Sequence, residues 1–488
     1  PLVERVESDT SCYHYRITPR KLGVEFVEVY VNGKMVYNFP INELKVDSGV
    51  YILKLLHEQV RLHFIPGQEN SVKVVAVAKL EGSLLRSRGT VINEQDEAKT
   101  FVVPRMFAVI VGVNDYKEGI LDLNYPAKDA ADFGSALELS AKKLLGDSNV
   151  FTYMIQSNVK PGSGYTTPEK EGIRKAMEDI GKKARTQDIV LIFFAGHGVM
   201  QGSENKKFTF LTADASGVSQ IGISTKELQQ WLSFEGPFKM KANKTILIFD
   251  ACNSGQASKE LAALVRSDDE TRRIRQVEDL RDKSGVFILA ASASEQSAYE
   301  LPQYEQGLLT YSLLSVLKNN PDILEEGRYL NVQKWFLESE KYLKQLVSSL
   351  GLKQDAQPFG TANIRIGEVD EEVKNSIHLA DEKPVVVCAN VINDETLDDN
   401  LNLKGLINEK LLEISERGID QKIIYAGKET ESANKINIRY TIKGQTILCE
   451  IRLLKSGETL HGASATGNKS NLDDLVIKII DEVVKYAK

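Results

Sequence analysis

The chain lacks the features that mark secreted, membrane-spanning and nucleic-acid-binding proteins. It has only four cysteines in 488 residues and no CxxC pair, which argues against a disulfide framework or a zinc knuckle and is typical of a reducing cytoplasm. No apolar run approaches the ~20 residues that span a bilayer, and no basic–apolar–small signal pattern opens the sequence. The net charge of −7 supplies no excess of positive charge for nucleic acid. We therefore expect a cytoplasmic protein that binds neither membrane nor nucleic acid.

What the chain does contain is the composition of a soluble globular protein, with 42% hydrophobic and 26% charged residues. Its length is enough for roughly two to four domains. Residues 1–102 hold short apolar segments separated by turns such as Asn32-Gly33, which predict an all-β sandwich resembling immunoglobulin-like modules. Residues 103–367 alternate strand and helix patterns, and residues 368–488 predict a small α+β domain.

The middle region has the pattern of an α/β sheet. Apolar stretches without alternation predict five buried strands, within 106–113, 147–155, 188–198, 244–255 and 285–291. Helical periodicity lies between and after them, at 129–143, 168–184, 307–317 and 330–347. This order predicts a mostly parallel sheet with helices on both faces.

Two of these strands end in reactive residues. The first, DIVLIFFAGHG, delivers His197, and the second, KTILIFDACNSG, delivers Cys252. Open parallel sheets place their sites at the carboxyl ends of strands, so we expect the two side chains to meet there. A histidine beside a cysteine is the minimum equipment for nucleophilic catalysis by a thiolate. Among the other residues of these types, Cys388 and Cys449 are expected to be core residues, and His14, His57, His63, His378 and His461 ordinary surface or packing residues.

The motifs around these two residues resemble those of caspase-like cysteine peptidases of the C14 type, and most closely those of prokaryotic metacaspases. The matching segments are VIVGVNDYKEGILDLNYPAKDAADF, FFAGHG, DACNSG and LAASASEQSAYE…GLLTYSLL, in that order over about 260 residues. The spacing of 55 residues from His197 to Cys252 is close to the ~50 of caspases. The resemblance implies a Cys252 nucleophile, a His197 base, no third catalytic residue, and an oxyanion hole formed by the backbone N–H groups of Gly198 and Cys252.

The same resemblance implies a pocket for a basic P1 side chain. In metacaspases one aspartate precedes the nucleophile by two residues and another lies early in the first helix; Asp250 and Asp129 match these positions. Two carboxylates would favour the guanidinium fork of arginine over lysine. The structural alternative is that Asp250 caps the helix that follows it and Asp129 caps its own. Residue 195, often serine in this family, is alanine here.

The charged segment after Cys252 has two interpretations. It can be a solvated helix followed by a loop, or a cleavable linker at about 256–284 like those cut in maturing caspases. A protease selective for arginine would find candidate processing sites inside it, at Arg266, Arg272, Arg273 and Arg275. By contrast, the segment after the histidine strand offers only Glu204 and Asp214 as acidic residues. We therefore expect no calcium requirement, no metal and no cofactor.

The sequence thus favours a monomeric, self-processing cysteine endopeptidase. Its substrates would be proteins or peptides with basic P1 residues, and an activating protease or regulatory protein is an expected partner. Family habit suggests a bacterial role in stress, cell-death or anti-phage signalling. The alternatives are a catalytically silent caspase-fold scaffold and an acyltransferase or transpeptidase that uses the same dyad.

Overall fold

The structure is a computed structural model, and the described residues cover most of the chain. They are 1–6, 9–80, 83–97, 102–117, 121–157, 166–201, 207–216, 221–252, 286–292, 300–301, 304–349, 355–359, 363–380, 383–415, 423–426 and 433–487. The predicted linker at 256–284 therefore lies outside the described residues, together with Arg266, Arg272, Arg273 and Arg275. No described helix is long and apolar enough to cross a membrane.

The first hundred residues form two antiparallel sheets that share one core. One sheet has the order β1-β2-β6-β5; the other has the order β4-β3-β7-β8, with β9 also paired to β7. Inward side chains from both sheets, including Tyr15 and Val29, pack into a single cluster. The bounds are β1 Leu2–Val6, β2 Cys12–Thr18, β3 Phe26–Val31, β4 Lys34–Pro40, β5 Lys45–Asp47, β6 Val50–Leu56, α1 His57–Arg61, β7 Glu69–Leu80, β8 Ser83–Arg86 and β9 Thr90–Gln95.

The predicted α/β sheet is present in the middle of the chain. Its order is β11-β10-β12-β15-β16-β21; the first five strands are parallel and β21 is antiparallel. Strand β13 pairs with β12, and β14 pairs with β13. The strands are β10 Met106–Gly112, β11 Val150–Gln156, β12 Ile189–Gln201, β13 Lys207–Leu211, β14 Gly222–Ser224, β15 Lys244–Cys252, β16 Val286–Ser292, β17 Glu300–Leu301, β18 Gln306–Gly307, β19 Leu324–Glu325, β20 Tyr329–Asn331, β21 Asp355–Phe359 and β22 Arg365–Glu368.

Helices cover both faces of this sheet, as predicted. Along β12, Leu191 and Phe193 pack on one side and Val190 and Ile192 on the other, because successive strand side chains point to opposite faces. The first face is covered by α2, α5 and α6 and the second by α3 and α4. The helices are α2 Pro126–Leu145, α3 Lys170–Lys183, α4 Thr225–Leu232, α5 Leu308–Asn319, α6 Val332–Ser349 and α7 Glu371–Ser376.

The last part of the chain is a five-stranded sheet with helices packed on it. The order is β24-β23-β25-β26-β27, and its core includes Ile436, Ile479 and the buried thiols of Cys388 and Cys449. The bounds are β23 Val385–Asn393, α8 Leu403–Ser415, β24 Ile424–Tyr425, β25 Asn434–Lys443, β26 Thr446–Lys455, β27 Glu458–Asn468 and α9 Leu472–Tyr486.

A buried lysine joins the N-terminal sheets to the central sheet. Lys34 follows the Asn32-Gly33 hairpin turn and donates hydrogen bonds to the carbonyl oxygens of Met240 (2.6 Å) and Ala242 (2.8 Å). The acceptors lie in the segment that leads into β15. Burial lowers the pKa of Lys34 to about 7, because an ammonium loses its hydration when buried.

This pKa makes the contribution of Lys34 to stability depend on pH. Between about pH 7 and the ordinary lysine value of 10.5, the unfolded chain binds a proton at Lys34 that the folded chain does not. Folding stability therefore rises with pH in this window, by at most about 1.4 kcal/mol per unit. We expect the free energy of unfolding of wild type, measured by urea denaturation relative to that of Lys34→Met, to rise from pH 7 to pH 9. The exposed Lys45→Met is the control, and stability curves that run parallel for wild type and Lys34→Met would contradict the prediction.

Candidate active site

The two reactive residues predicted from the sequence lie side by side. Strands β12 and β15 are parallel neighbours, and their register pairs His197 with Cys252 at the carboxyl end of the sheet. Neighbouring strands are about 4.8 Å apart, so the backbones of the two residues lie about one strand spacing from each other. Cys252 is the last residue of β15.

The His197 ring is held by a backbone carbonyl. It is buried, and its Nε2 lies 2.7 Å from the carbonyl oxygen of Leu121. The carbonyl can only accept, so Nε2 carries the proton and Nδ1 is left with the lone pair in the neutral ring. Burial lowers the pKa of His197 to about 4. Sequence reasoning identified no third orienting group, and Leu121 left no signal because any residue type offers the same carbonyl.

A tyrosine fixes the backbone of the same histidine. The Tyr116 hydroxyl accepts a hydrogen bond from the His197 N–H at 2.9 Å, and the two rings lie 5.1 Å apart. The preceding Gly196 has φ of +150°, and a Cβ there would come within 3.0 Å of the Tyr116 hydroxyl. Glycine is therefore required at 196 for the tyrosine to reach its partner. The expected oxyanion-hole residue Gly198 is buried and pairs with Phe210 of β13.

The two predicted pocket carboxylates converge on one glycine. Asp129 and Asp250 are both buried. The Gly307 N–H donates to both carboxylate oxygens of Asp129 (3.1 and 3.0 Å), while the Thr310 N–H and hydroxyl donate to Asp250 Oδ2 (3.0 and 2.5 Å). A Cβ on Gly307 would lie 2.6 Å from Asp250 Oδ2 and 3.1 Å from Asp129 Oδ2.

This geometry contradicts the part of the capping alternative that concerns Asp129. Asp129 does not cap its own helix, since α2 has Tyr125 at its N-cap position and no side-chain cap bond. Instead, Asp129 and Asp250 both accept from the first turn of α5, whose unpaired N–H groups and dipole favour negative charge. The residues after Cys252, which include the segment that Asp250 would cap in that alternative, lie outside the described residues. Ala195, the departure from the family pattern, pairs with Asp250 across the strands.

Of the two acidic residues considered for calcium, Asp214 lies within the described residues. Asp214 accepts hydrogen bonds from the Thr212 hydroxyl (2.5 Å) and the Lys170 N–H (3.3 Å). Glu204 lies outside the described residues.

Comparison with protein families assigns the central sheet and its helices to a known domain. The sequence model of the Peptidase C14 caspase domain matches residues 105–354, about half of the chain. The chain belongs to the caspase-domain family of cysteine peptidases. The match covers His197, Cys252, Asp129 and Asp250. Comparison with curated proteins finds no matching relative.

Three solved structures have a distant likeness to this chain. A structural-genomics protein from Geobacter sulfurreducens is 15% identical, with 53% of this chain and 95% of that chain covered and a TM-score of 0.34. The YxiM protein of Bacillus subtilis is 11% identical, with 57% and 64% covered and a TM-score of 0.19. A mutant of the PilB minor pilin from Streptococcus sanguinis is 10% identical, with 56% and 85% covered and a TM-score of 0.22. Likeness at this level supports no statement on the caspase domain.

The tyrosine behind His197 gives a test of how the histidine is positioned. We expect Tyr116→Phe to lower kcat/KM about tenfold, because one hydrogen bond of about 1.4 kcal/mol to the histidine backbone is removed. Tyr153→Phe removes a hydroxyl that donates to Asp179 on α3 and is the matched control. If Tyr116→Phe lowers thermal stability but leaves kcat/KM at the wild-type value, Tyr116 has only a structural role.

Proposed function

We propose that this chain is an endopeptidase that cleaves after basic residues, arginine before lysine, with Cys252 as nucleophile and His197 as base. The observation that carries the proposal is the register of β12 and β15, which sets His197 beside Cys252 within a caspase domain. A thiol and an imidazole at one sheet edge can perform acyl transfer without a metal or cofactor.

The proposed reaction uses the free nitrogen of His197. Nδ1 takes the proton of the Cys252 thiol as sulfur attacks the peptide carbonyl carbon, and the N–H groups of Gly198 and Cys252 stabilise the oxyanion. His197 then returns the proton to the departing amine, leaving a thioester that water hydrolyses. Because burial lowers the pKa of His197 to about 4, the ring is neutral at rest. It becomes charged only while the substrate develops negative charge.

The proposed specificity rests on the paired carboxylates. The carboxylates of Asp129 and Asp250 both lie beside the backbone of Gly307. A P1 cation bound there would therefore meet two negative charges at once. A guanidinium presents several N–H groups in a plane and can serve both carboxylates, whereas an ammonium is a compact point charge. This favours arginine over lysine and disfavours the acidic P1 residues of caspase substrates.

The remaining features of the proposal come from the family resemblance. They are a metacaspase-like, calcium-independent and cofactor-free enzyme, a monomer in a bacterial cytoplasm, and activation by cuts in the linker, by itself or by another protease. A role in stress, cell-death or anti-phage signalling, with a regulatory protein as partner, belongs to the same proposal.

A fluorogenic peptide panel tests this function. Peptides with Arg, Lys, Asp or Leu at P1 are compared, with and without calcium, using protein as purified and protein pre-cut in the linker. We expect turnover of Arg over Lys, none of Asp or Leu, and no response to calcium. Failure of pre-cut protein to cleave any peptide, or to be labelled by a thiol-directed peptidyl-Arg inhibitor, would favour the silent scaffold.

A further inference from the structure

Three metal-ligating side chains meet at the start of β2 in the first sheet, far along the chain from the caspase domain. Cys12 and His14 are two residues apart on β2 and therefore face the same side of the sheet. The alternate residues Tyr13 and Tyr15 point into the core, so Cys12 and His14 lie on the opposite face. Asp9 lies three residues before Cys12 in the segment that connects β1 to β2.

The distances match those of ligands that share an ion. The Asp9 carboxylate oxygen, the Cys12 Sγ and the His14 imidazole nitrogen all lie within 4.8 Å of one another. His14 Nε2 is 3.2 Å from Asp9 Oδ2. Zinc bonds of ~2.0 Å to nitrogen and oxygen and ~2.3 Å to sulfur, arranged as a tetrahedron, place their ligand atoms about 3.3–3.6 Å apart. The separation of His14 Nε2 and Asp9 Oδ2 fits this geometry, and the Cys12 sulfur lies within 4.8 Å of both side chains' ligand atoms.

The His14 nitrogen that faces this cluster lacks a hydrogen bond in the described part of the chain. His14 Nε2 is inaccessible to solvent and makes no hydrogen bond to any described residue, although the side chain as a whole is 19% exposed. Its approach to Asp9 lacks hydrogen-bond geometry. A buried imidazole nitrogen without a hydrogen bond is unfavourable, and a metal ion between it and the carboxylate would satisfy both.

The carboxylate is already oriented toward that position. Asp9 Oδ1 accepts hydrogen bonds from the Ser11 N–H (2.8 Å), the Ser11 hydroxyl (2.7 Å) and the Cys12 N–H (2.7 Å). These bonds fix the side chain and leave Oδ2 toward His14. Lys54, the cross-strand partner of His14, is exposed, so its ammonium can remain in solvent.

We propose that Asp9, Cys12 and His14 bind one zinc-class transition-metal ion, with the fourth position open to water. Nitrogen, sulfur and oxygen ligands together suit zinc, whereas calcium and magnesium require mainly oxygen. Binding displaces the Cys12 thiol proton into solvent and forms a metal–thiolate bond, with no change of oxidation state. The ion would tie the connection that precedes β2 to the first sheet. This proposal revises the expectation of no metal and does not depend on the peptidase activity.

Metal titration of the full-length chain tests the site. The background is Cys252→Ala, which removes the catalytic thiol as a competing ligand and prevents self-cleavage. Chelator-treated protein is titrated with cobalt(II), whose thiolate charge-transfer absorption reports sulfur ligation, and then with zinc, which should displace it. The variants are Cys12→Ser and His14→Gln. Cys449→Ser, a buried thiol in the C-terminal sheet, is the control.

The expected result is one cobalt ion per chain with a thiolate band, displaced by zinc and absent with calcium. Both site variants should weaken binding at least tenfold, and the control should leave it unchanged. Because His14→Gln changes a partly exposed side chain, it separates loss of a ligand from loss of folding, which circular dichroism monitors. The proposal is overturned if the parent shows no thiolate band, if Cys12→Ser keeps it, or if Cys449→Ser loses it equally.

Discussion

Gly307→Ala is expected to reduce kcat/KM for peptides with P1 arginine by at least a hundredfold. The new methyl group would lie 2.6 Å from Asp250 Oδ2 and 3.1 Å from Asp129 Oδ2, closer than carbon and oxygen can approach without one of them moving. Both carboxylates are buried, so they have little room to retreat. The methyl group would therefore occupy the space between the charges that we propose to hold the guanidinium. Steady-state kinetics with an Arg peptide measure the effect.

Two controls separate loss of the pocket from general damage. Gly462→Ala places a Cβ no closer than 4.0 Å to any atom and should leave kinetics unchanged. The rate at which a small alkylating reagent modifies Cys252 should also be the same in Gly307→Ala as in wild type. Asp129→Asn and Asp250→Asn should lower activity toward arginine in the same way. Full activity of Gly307→Ala toward arginine peptides would show that the P1 side chain binds elsewhere.

The second large effect is expected at Cys252. Cys252→Ala removes the atom that forms the thioester, so turnover should fall at least a thousandfold, below detection in a fluorogenic assay. Cuts at Arg266, Arg272, Arg273 or Arg275 should disappear from the purified chain, as gel electrophoresis and mass spectrometry would show. The control is Cys449→Ala, which should retain activity. Burial raises the pKa of the Cys449 thiol to about 12.

The two readouts of Cys252→Ala address different parts of the proposal. Residual peptidase activity at the wild-type level would exclude Cys252 as the nucleophile. Loss of turnover with the same linker cuts still present, in protein free of contaminating protease, would leave the dyad in place and assign the cuts to another enzyme.

The sequence predicted the sheet and the adjacency of His197 and Cys252 because their signals are local. Apolar runs that end in His197 and Cys252 predicted two adjacent buried strands, and the parallel register brings those two ends together. The pairing of Asp129 with Asp250 could be inferred only by resemblance, because the residue that joins them, Gly307, lies 57 positions after Asp250. No local pattern encodes such a contact.

Other parts of the structure gave no usable sequence signal. The backbone carbonyl of Leu121 that holds the His197 ring is a group that every residue type has. Lys34, beside a hairpin turn, has the pattern of a solvated surface residue, yet it is buried against the segment before β15. The contact of Asp9 with His14 depends on how one short connection folds back onto its strand. These features arise from tertiary packing, which residue patterns do not specify.

The first turn of α5 has a consequence for how the proposed substrate preference of this chain can change in evolution. The atoms that we propose for recognising the substrate also neutralise a helix end, since Asp129 and Asp250 both accept from that turn. A lineage that exchanged them for basic residues, to take acidic substrates, would place positive charge against the positive end of α5 and lose its cap. Such a change of substrate preference would therefore require a different start of α5 at the same time. Evolution toward another preference at this position is expected to proceed by replacing the whole loop-and-helix unit, rather than one residue after another.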